Sequence, residues 1–480
     1  MNKIFLIAAV LVLASACTKN LSSLNNNPKA AVNVPSSSVF LVGQKNLVDY
    51  STTTSSSQAP FRVFAQTWTE NSYTTEARYI LSAYNSPDGW WNALYSSVLN
   101  NLTQAKNLYA NDLLDAPIKK NNMLIAEILR IYTYNMLVNT YGNIPYSESE
   151  NRNIPFPKYD DAKTVFYDLL NRLDTCITGL SLDAGAMGSA DQIYKGSVVA
   201  WKKFAATQKL KMAMMIADVD ATTAAKKVQE AVAAGVFQSN SDNAKFPYQA
   251  SPTGNTNPIW QALVNSGRHD YAPAALMVNT LLAWKDPRLP LFYTKDPSGN
   301  YSGGVAGAAN NYVNLSTFSS QWLAATYAGD ILDYPETEFL LAEAVERGMA
   351  VSGTAESHYN AGVTASIQFW GGTVADANTY LAQTAVAYKT AAGNYKQKIG
   401  YQKWIALNNR GWDAWTEIRR LHYPDINTVS QPLGATGQMP LRFYYPTNEQ
   451  SSNQNNWSTA VKAQSGSTAD NVSTKLFWMQ

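Results

Sequence analysis

From Trp91 onward the apolar positions Trp91, Tyr95, Val98, Leu102, Ala105 and Tyr109 step by four and three. That spacing keeps side chains on one face of a helix about 20 residues long. Such a helix buries its stripe only by lying on another helix, so the pattern asks for a helical partner. Pro87-Asp88-Gly89 ahead of it reads as a start signal. Residues 123–138, MLIAEILRIYTYNMLV, are apolar almost all round, which predicts a helix covered on several sides. Gly142 and Pro145 stop it, and Asp160 offers an N-cap to the next stripe, Val165, Leu169, Leu173 and Cys176.

The two-helix unit recurs. Residues 197–217 pair with 222–235, residues 335–348 with 354–370, and residues 396–409 with 411–421 around Trp404, Trp412 and Trp415. Ala361, Gly362 and Ala365 are small enough for close helix approach, and Gly371-Gly372 ends that helix. Helix pairs with small residues at the crossings resemble tetratricopeptide units, although the period is irregular. The fold class is therefore mainly α. Between the second and third pairs, residues 236–332 change character: Asn, Gly, Pro, Ser and aromatics dominate and helical stripes are few. Residues 50–90 share this character, and 424–480 are irregular and Asn-rich. Long irregular segments inside a helical protein are usually functional surface or inserted subdomains.

Composition narrows the chemistry. Charged residues make up 15% of the chain and the net charge is +2, with no long Lys/Arg run; no footprint for nucleic acid is visible. His269, His358 and His422 are far apart and form no HExxH pattern, which disfavours a histidine-built zinc site. Cys176, on a helical face with leucines, reads as a buried structural thiol. There is no GxxxxGK[ST] and no GxSxG, and Gly303-Gly304-Val305-Ala306-Gly307 lacks the flanks of a dinucleotide turn. Glu336, Glu338 and Glu343 share one helix, where the first two suit its opening turn electrostatically. No catalytic pair, cofactor or metal site is indicated.

What remains is surface suited to recognition. Tyr and Trp number 28 and 13; each ring either fills a helix interface, anchors a loop or faces a ligand. Candidates in the first irregular region are Trp68, Tyr73, Arg78, Tyr79, Tyr84 and Asn85, and in the second Trp260, Arg268, His269, Tyr271, Trp322 and Tyr327. Chain ends and insertions of a helical scaffold gather on one side. The two regions are accordingly expected to converge in one shallow patch built by Trp68, Tyr73, Tyr79, Trp260, Arg268, Tyr271 and Trp322, for a neutral ligand.

The N-terminus sets the compartment. Lys3 precedes an apolar run of ten residues, Ile4 to Leu13, too short for a bilayer that needs about 20 and suited to a signal peptide. Ala14, Ser15 and Ala16 lead into Cys17. This resembles a bacterial lipobox, with Ala14 where Leu is usual; the alternative is an ordinary signal peptide cut after Ala16. The expected organisation is a signal peptide over 1–16, a lipidated spacer over 17–38 anchored at Cys17, and a folded body from 39 to 480.

Seven motifs then occur in order. They are Tyr141-Gly142-Asn143-Ile144-Pro145-Tyr146-Ser147-Glu148; Asp286-Pro287-Arg288-Leu289; Glu338-Phe339-Leu340-Leu341-Ala342-Glu343-Ala344; Tyr359-Asn360-Ala361-Gly362-Val363 with Ala365-Ser366-Ile367; Gln402-Lys403-Trp404-Ile405-Ala406-Leu407; Ala414-Trp415-Thr416-Glu417-Ile418-Arg419-Arg420; and Pro440-Leu441-Arg442-Phe443-Tyr444-Tyr445-Pro446 with Glu449 and Asn453. Together they resemble the SusD/RagB family of nutrient-binding outer-membrane lipoproteins of Bacteroidetes, in its second, diverse branch. The resemblance implies a single domain of four tetratricopeptide-like helix pairs with a loop-rich, ligand-facing region. It implies a non-enzymatic lipoprotein on the cell exterior, held to the outer membrane by its lipid alone. Such a protein captures oligosaccharide or peptide for a SusC-like TonB-dependent transporter. No ligand residue of the starch-binding members matches a motif here. A secreted carbohydrate-active enzyme and a periplasmic helical-repeat scaffold are the competing readings.

Overall fold

The computed structural model describes residues 34–251, 254–426, 429 and 438–479. The expected signal peptide, Cys17 and most of the expected spacer lie outside the described residues. The last residues assigned to that spacer are helical: Ser36–Thr52 is the first helix among the described residues, α1.

The stripe from Trp91 is one continuous helical stretch. It comprises α2 (Ser86–Asn92), a π-helical segment (Ala93–Leu99) and α3 (Asn100–Asn111). Trp91, Val98, Leu102, Ala105 and Tyr109 are buried, while Tyr95 is half-buried and donates its hydroxyl proton to the Pro145 carbonyl at 2.6 Å. Helix α4 (Ala116–Tyr141) is buried without a break from Ile125 to Tyr141 and ends where Gly142 takes φ +89°. Asp160 is not the cap of the next helix. The short antiparallel pair of β2 (Ile144–Pro145) and β3 (Tyr159–Asp160) holds it extended, and its carboxylate accepts from the Ser147 backbone N–H at 2.7 Å. Asp161, one residue on, caps α5 (Ala162–Gly179) by accepting from Thr164 N.

The remaining pairs fall close to their expected places. They are α6 (Val198–Met215) with α7 (Ala221–Ala234), and, beyond the loop region, α9 (Tyr334–Glu346) with α10 (Ala355–Phe369) and α11 (Tyr395–Ala406) with α12 (Gly411–Leu421). Helix α8 (Ala275–Ala283) lies between them. It was not expected, because its run ALMVNTLLA is apolar on nearly all sides and shows no stripe. Each of α3 to α6 packs on the next, and α9 then joins α6 to α10 and α11. At the α9–α10 crossing a Cβ on Gly362 would come 3.0 Å from the Phe339 ring; the small residue there permits the approach.

Charge runs through this array rather than around it. Lys211 on α6 pairs with Glu336 and Asp413; Arg410 pairs with Glu336; Lys403 pairs with Glu417; Arg420 pairs with Glu343 and Glu417. All of these groups are buried. Burial opposes ionisation of Glu336, but Lys211, Arg410 and Lys403 outweigh it and hold its carboxyl well below the usual range. Glu336 does sit in the first turn of α9, and it and Glu343 also make tertiary ion pairs. Arg288 likewise pairs with Asp286 and reaches Gln402 (2.8 Å) and Ser366 (3.0 Å). Five of the seven motifs thus supply partners to buried polar links between helices.

The irregular regions have a core of their own. Trp68, Phe318, Trp322, Trp370 and Trp404 belong to one buried cluster. Trp404 donates its indole N–H to the Ala65 carbonyl at 2.8 Å, which ties α11 to the first loop region.

Candidate functional site

The two irregular regions meet through backbone pairing. Strand β1 (Trp68–Glu70) runs antiparallel to β4 (Tyr271–Pro273), with Trp68 opposite Pro273, Thr69 opposite Ala272 and Glu70 opposite Tyr271. The ladder extends at one end, where Asn71 donates its backbone N–H to the Asp270 carbonyl and its amide to the His269 carbonyl. Asn310 seals a third loop onto this pair by donating to the Glu70 carbonyl at 3.0 Å.

A cleft of about 450 Å³ opens beside this ribbon. One wall is the Ser/Thr run 53–57; the others carry Glu70, Tyr73 and Tyr84 from the first region and Arg268, Asp270 and Tyr271 from the second. Tyr73 is 61% exposed and Tyr84 39% exposed, and their rings meet edge to face at 6.5 Å. The Arg268 guanidinium lies 5.5 Å from the Tyr73 ring centre while its Nε donates to Asp270 at 2.6 Å. Tyr271 donates its hydroxyl proton to the Thr54 carbonyl and stands 2.8 Å from the Ser56 hydroxyl. The Ser56 hydroxyl is in turn 3.2 Å from Glu70. Ring faces flanked by hydroxyls, a carbonyl and a charge-paired arginine can stack on a sugar ring and hydrogen-bond its hydroxyls.

Electrostatically the cleft is close to neutral. Arg268 and Asp270 cancel each other. Burial, with Glu76 nearby adding to it, pushes the Glu70 carboxyl up to about 8, so Glu70 is largely protonated at pH 7. Glu76 is itself raised to about 7 by burial.

The seven residues expected to form the patch divide. Tyr73, Arg268 and Tyr271 line the cleft. Trp68 and Trp322 do not face solvent: they are 1% and 0% exposed. Trp68 packs on Phe318 at 4.1 Å and Trp322 on Trp370 at 4.9 Å. Their rings form the core that seats the loops on the helices, which corrects the expectation of a ligand role. Tyr79 is also buried, edge-on to Phe64 at 6.0 Å. Trp260 is half-buried and is not among the cleft-lining residues. Among the earlier candidates, Tyr84 does line the cleft. Sequence reading missed Glu70, Asp270 and the 53–57 wall. The signals available were the unbroken Ser/Thr run and two acids each two residues from a chosen candidate.

Among the described residues no helix is long and apolar enough to cross a membrane. The helical array, with a loop-built cleft on it, has the architecture of the SusD-like binding proteins. Residues 28–446 match the second SusD-like family, described as starch-binding and associating with the outer membrane, and the chain belongs to that family. No curated protein matches the sequence. Among solved structures, a chitin-binding protein superposes with a TM-score of 0.80 at 25% identity, over 92% of this chain and 99% of its own. A SusD-like protein from Bacteroides thetaiotaomicron gives 0.76 at 24%, over 93% and 99%. A chitin-binding SusD homologue from Flavobacterium johnsoniae gives 0.78 at 24%, over 92% and 98%.

Proposed function

We propose that this protein is a lipoprotein, anchored through Cys17 on the outer face of the outer membrane, that captures a neutral oligosaccharide and delivers it to a SusC-like TonB-dependent transporter. The observation that carries the reading is the convergence of exposed Tyr73 and Tyr84 with Arg268 and Tyr271 around one near-neutral cleft. Peptide capture is the weaker reading, because the cleft offers no unpaired charge for a terminus. Hydrolysis is weaker too: Glu70 is engaged by Ser56 and by the Ala77 backbone N–H, and Asp270 by Arg268. The chitin-binding neighbour makes N-acetylglucosamine oligomers the first ligands to try, with maltooligosaccharides second.

Calorimetric titration tests the site. Stacking contributes on the order of 1 kcal/mol per ring beyond area burial, so Tyr73→Ala should weaken binding about fivefold to tenfold with the thermal midpoint kept. Arg268→Ala should weaken it comparably. Unchanged affinity in both variants, for a ligand that wild type binds, removes the cleft from consideration.

A further inference from the structure

A second pair of exposed rings stands beside the cleft. His269 lies between two cleft residues, Arg268 and Asp270, but its own ring packs on Tyr312. The two rings are nearly parallel, 16° apart with centres at 4.3 Å. Both residues are exposed, Tyr312 to 38%.

Short lengths of chain keep this pair close to the cleft. Consecutive Cα atoms are about 3.8 Å apart, so the His269 backbone is one step from each cleft residue beside it. Tyr312 follows Asn310 by two residues, which span at most about 7 Å. The Asn310 amide donates to the Glu70 carbonyl, and its backbone N–H donates to the Asn71 carbonyl. Both ring pairs are therefore carried by one end of the β1–β4 ribbon.

Holding the loop in place does not account for the pair. Asn310 already fastens it: besides those two bonds, its side chain accepts from the Val305 N–H at 2.9 Å and donates to the Ala308 carbonyl at 3.0 Å. Rings that seat these loops on the helices are enclosed, as Trp68 and Trp322 are, whereas His269 and Tyr312 face solvent. Among the described residues neither the Tyr312 hydroxyl nor a His269 ring nitrogen has a hydrogen-bond partner. Each pair thus offers an apolar ring with polar atoms at its edge, Tyr73 beside the Arg268 guanidinium and Tyr312 beside the imidazole. A pyranose can lay its C–H groups on such a ring and turn its hydroxyls to the edge.

We infer that His269 and Tyr312 form a second sugar subsite beside the cleft, so that the ligand is an oligosaccharide long enough to lie across both ring pairs. The inference rests on the cleft being the sugar site, and the experiment separates the two. N-acetylglucosamine oligomers and maltooligosaccharides, from the dimer to the hexamer, are titrated calorimetrically into the protein without a transporter. Wild-type affinity should rise in a step at the length that reaches the second pair. Tyr312→Ala should lose about fivefold for the longest oligomer, the worth of one stacking contact. The same variant should bind the shortest oligomer that wild type binds within about twofold of wild type, with the thermal midpoint kept. Tyr312→Phe, which keeps the ring, should retain most of the step, and Tyr73→Ala should weaken every length.

Equal loss at all lengths in Tyr312→Ala would show that the ring only shapes the cleft, and overturns the inference. So does a wild-type affinity that does not rise with length. A Tyr312→Ala profile that matches wild type while Tyr73→Ala is weakened also overturns it, and leaves the cleft standing. No response from either variant, or no binding of either series by wild type, removes the cleft and this subsite together.

Discussion

Glu70 is where a single residue sets a measurable property of the cleft. Its folded carboxyl sits at about 8 against an ordinary 4.5, chiefly through burial. Below pH 4.5 both folded and unfolded chains hold the proton. Between 4.5 and 8 the unfolded chain has released it and the folded chain has not, so rising pH favours unfolding. The stability tied to this proton is complete below 4.5 and lost as pH rises through 8. Comparing wild type with Glu70→Gln between pH 5 and 9, the wild-type thermal midpoint should fall more steeply; parallel curves would show that Glu70 ionises freely. At Trp322 the structure changes what substitution means. The ring is enclosed by Trp68, Phe318 and Trp370, so Trp322→Ala should cost about 3–5 kcal/mol, detectable by denaturant unfolding. Retained stability with lost ligand affinity would return Trp322 to the surface. Neither fact was legible in the sequence. An aromatic in an irregular region reads the same whether it seats a loop or meets a ligand, and the distinction arises only when distant segments close over it.

At the scale of elements, the helices were legible because their stripes state both length and buried face. Phe339 on α9 and Trp404 on α11 are 0% and 1% exposed, as their places on those helices require. Helix α8 was not legible, since a run apolar on every side carries no periodicity. The motifs gave the family, but what they do physically emerged only in three dimensions: Glu343, Lys403, Glu417 and Arg420 charge-pair helices to one another in the interior. Removing one member leaves a buried charge unpaired, a loss of about 3–5 kcal/mol. Lys211→Ala, which leaves the buried Asp413 with only the longer Arg410 contact, should therefore lower denaturant stability by that order, while an exposed pair such as Lys389–Glu356 should contribute under 1 kcal/mol. Equal small effects would mean that water reaches the network. The acid limb follows with its own sign. The carboxyl of Glu417 is held at about 2, where burial opposes ionisation but Arg420 and Lys403 prevail. Its contribution is present above the ordinary 4.5 and disappears as pH falls toward 2, so acid unfolding should set in within that window.

Considered as a whole molecule, the protein separates holding from binding. The described chain begins at α1, whose first residue bonds to Asp112 at the α3–α4 tip. The cleft is assembled elsewhere, from the 53–57 run and the β1–β4 ribbon. Between them lies the helical array, fastened to the loop region by Trp404 on Ala65 and by the buried Arg62, which donates to the Thr53 and Asn409 carbonyls. Among the described residues, none that lines the cleft lies within the expected tether. Anchoring and ligand affinity should therefore be independent. Cys17→Ala should release the protein from outer-membrane fractions in fractionation experiments, because the lipid attached at Cys17, whose buried methylenes hold it to the bilayer, is lost. The released chain should still bind the oligosaccharide within about twofold of the wild-type Kd, since a factor of two is under 0.5 kcal/mol. Conversely, Tyr73→Ala should weaken ligand binding and leave fractionation unchanged. A Cys17→Ala protein that stays with the membrane contradicts the anchor, and one that leaves the membrane but loses affinity tenfold contradicts the separation.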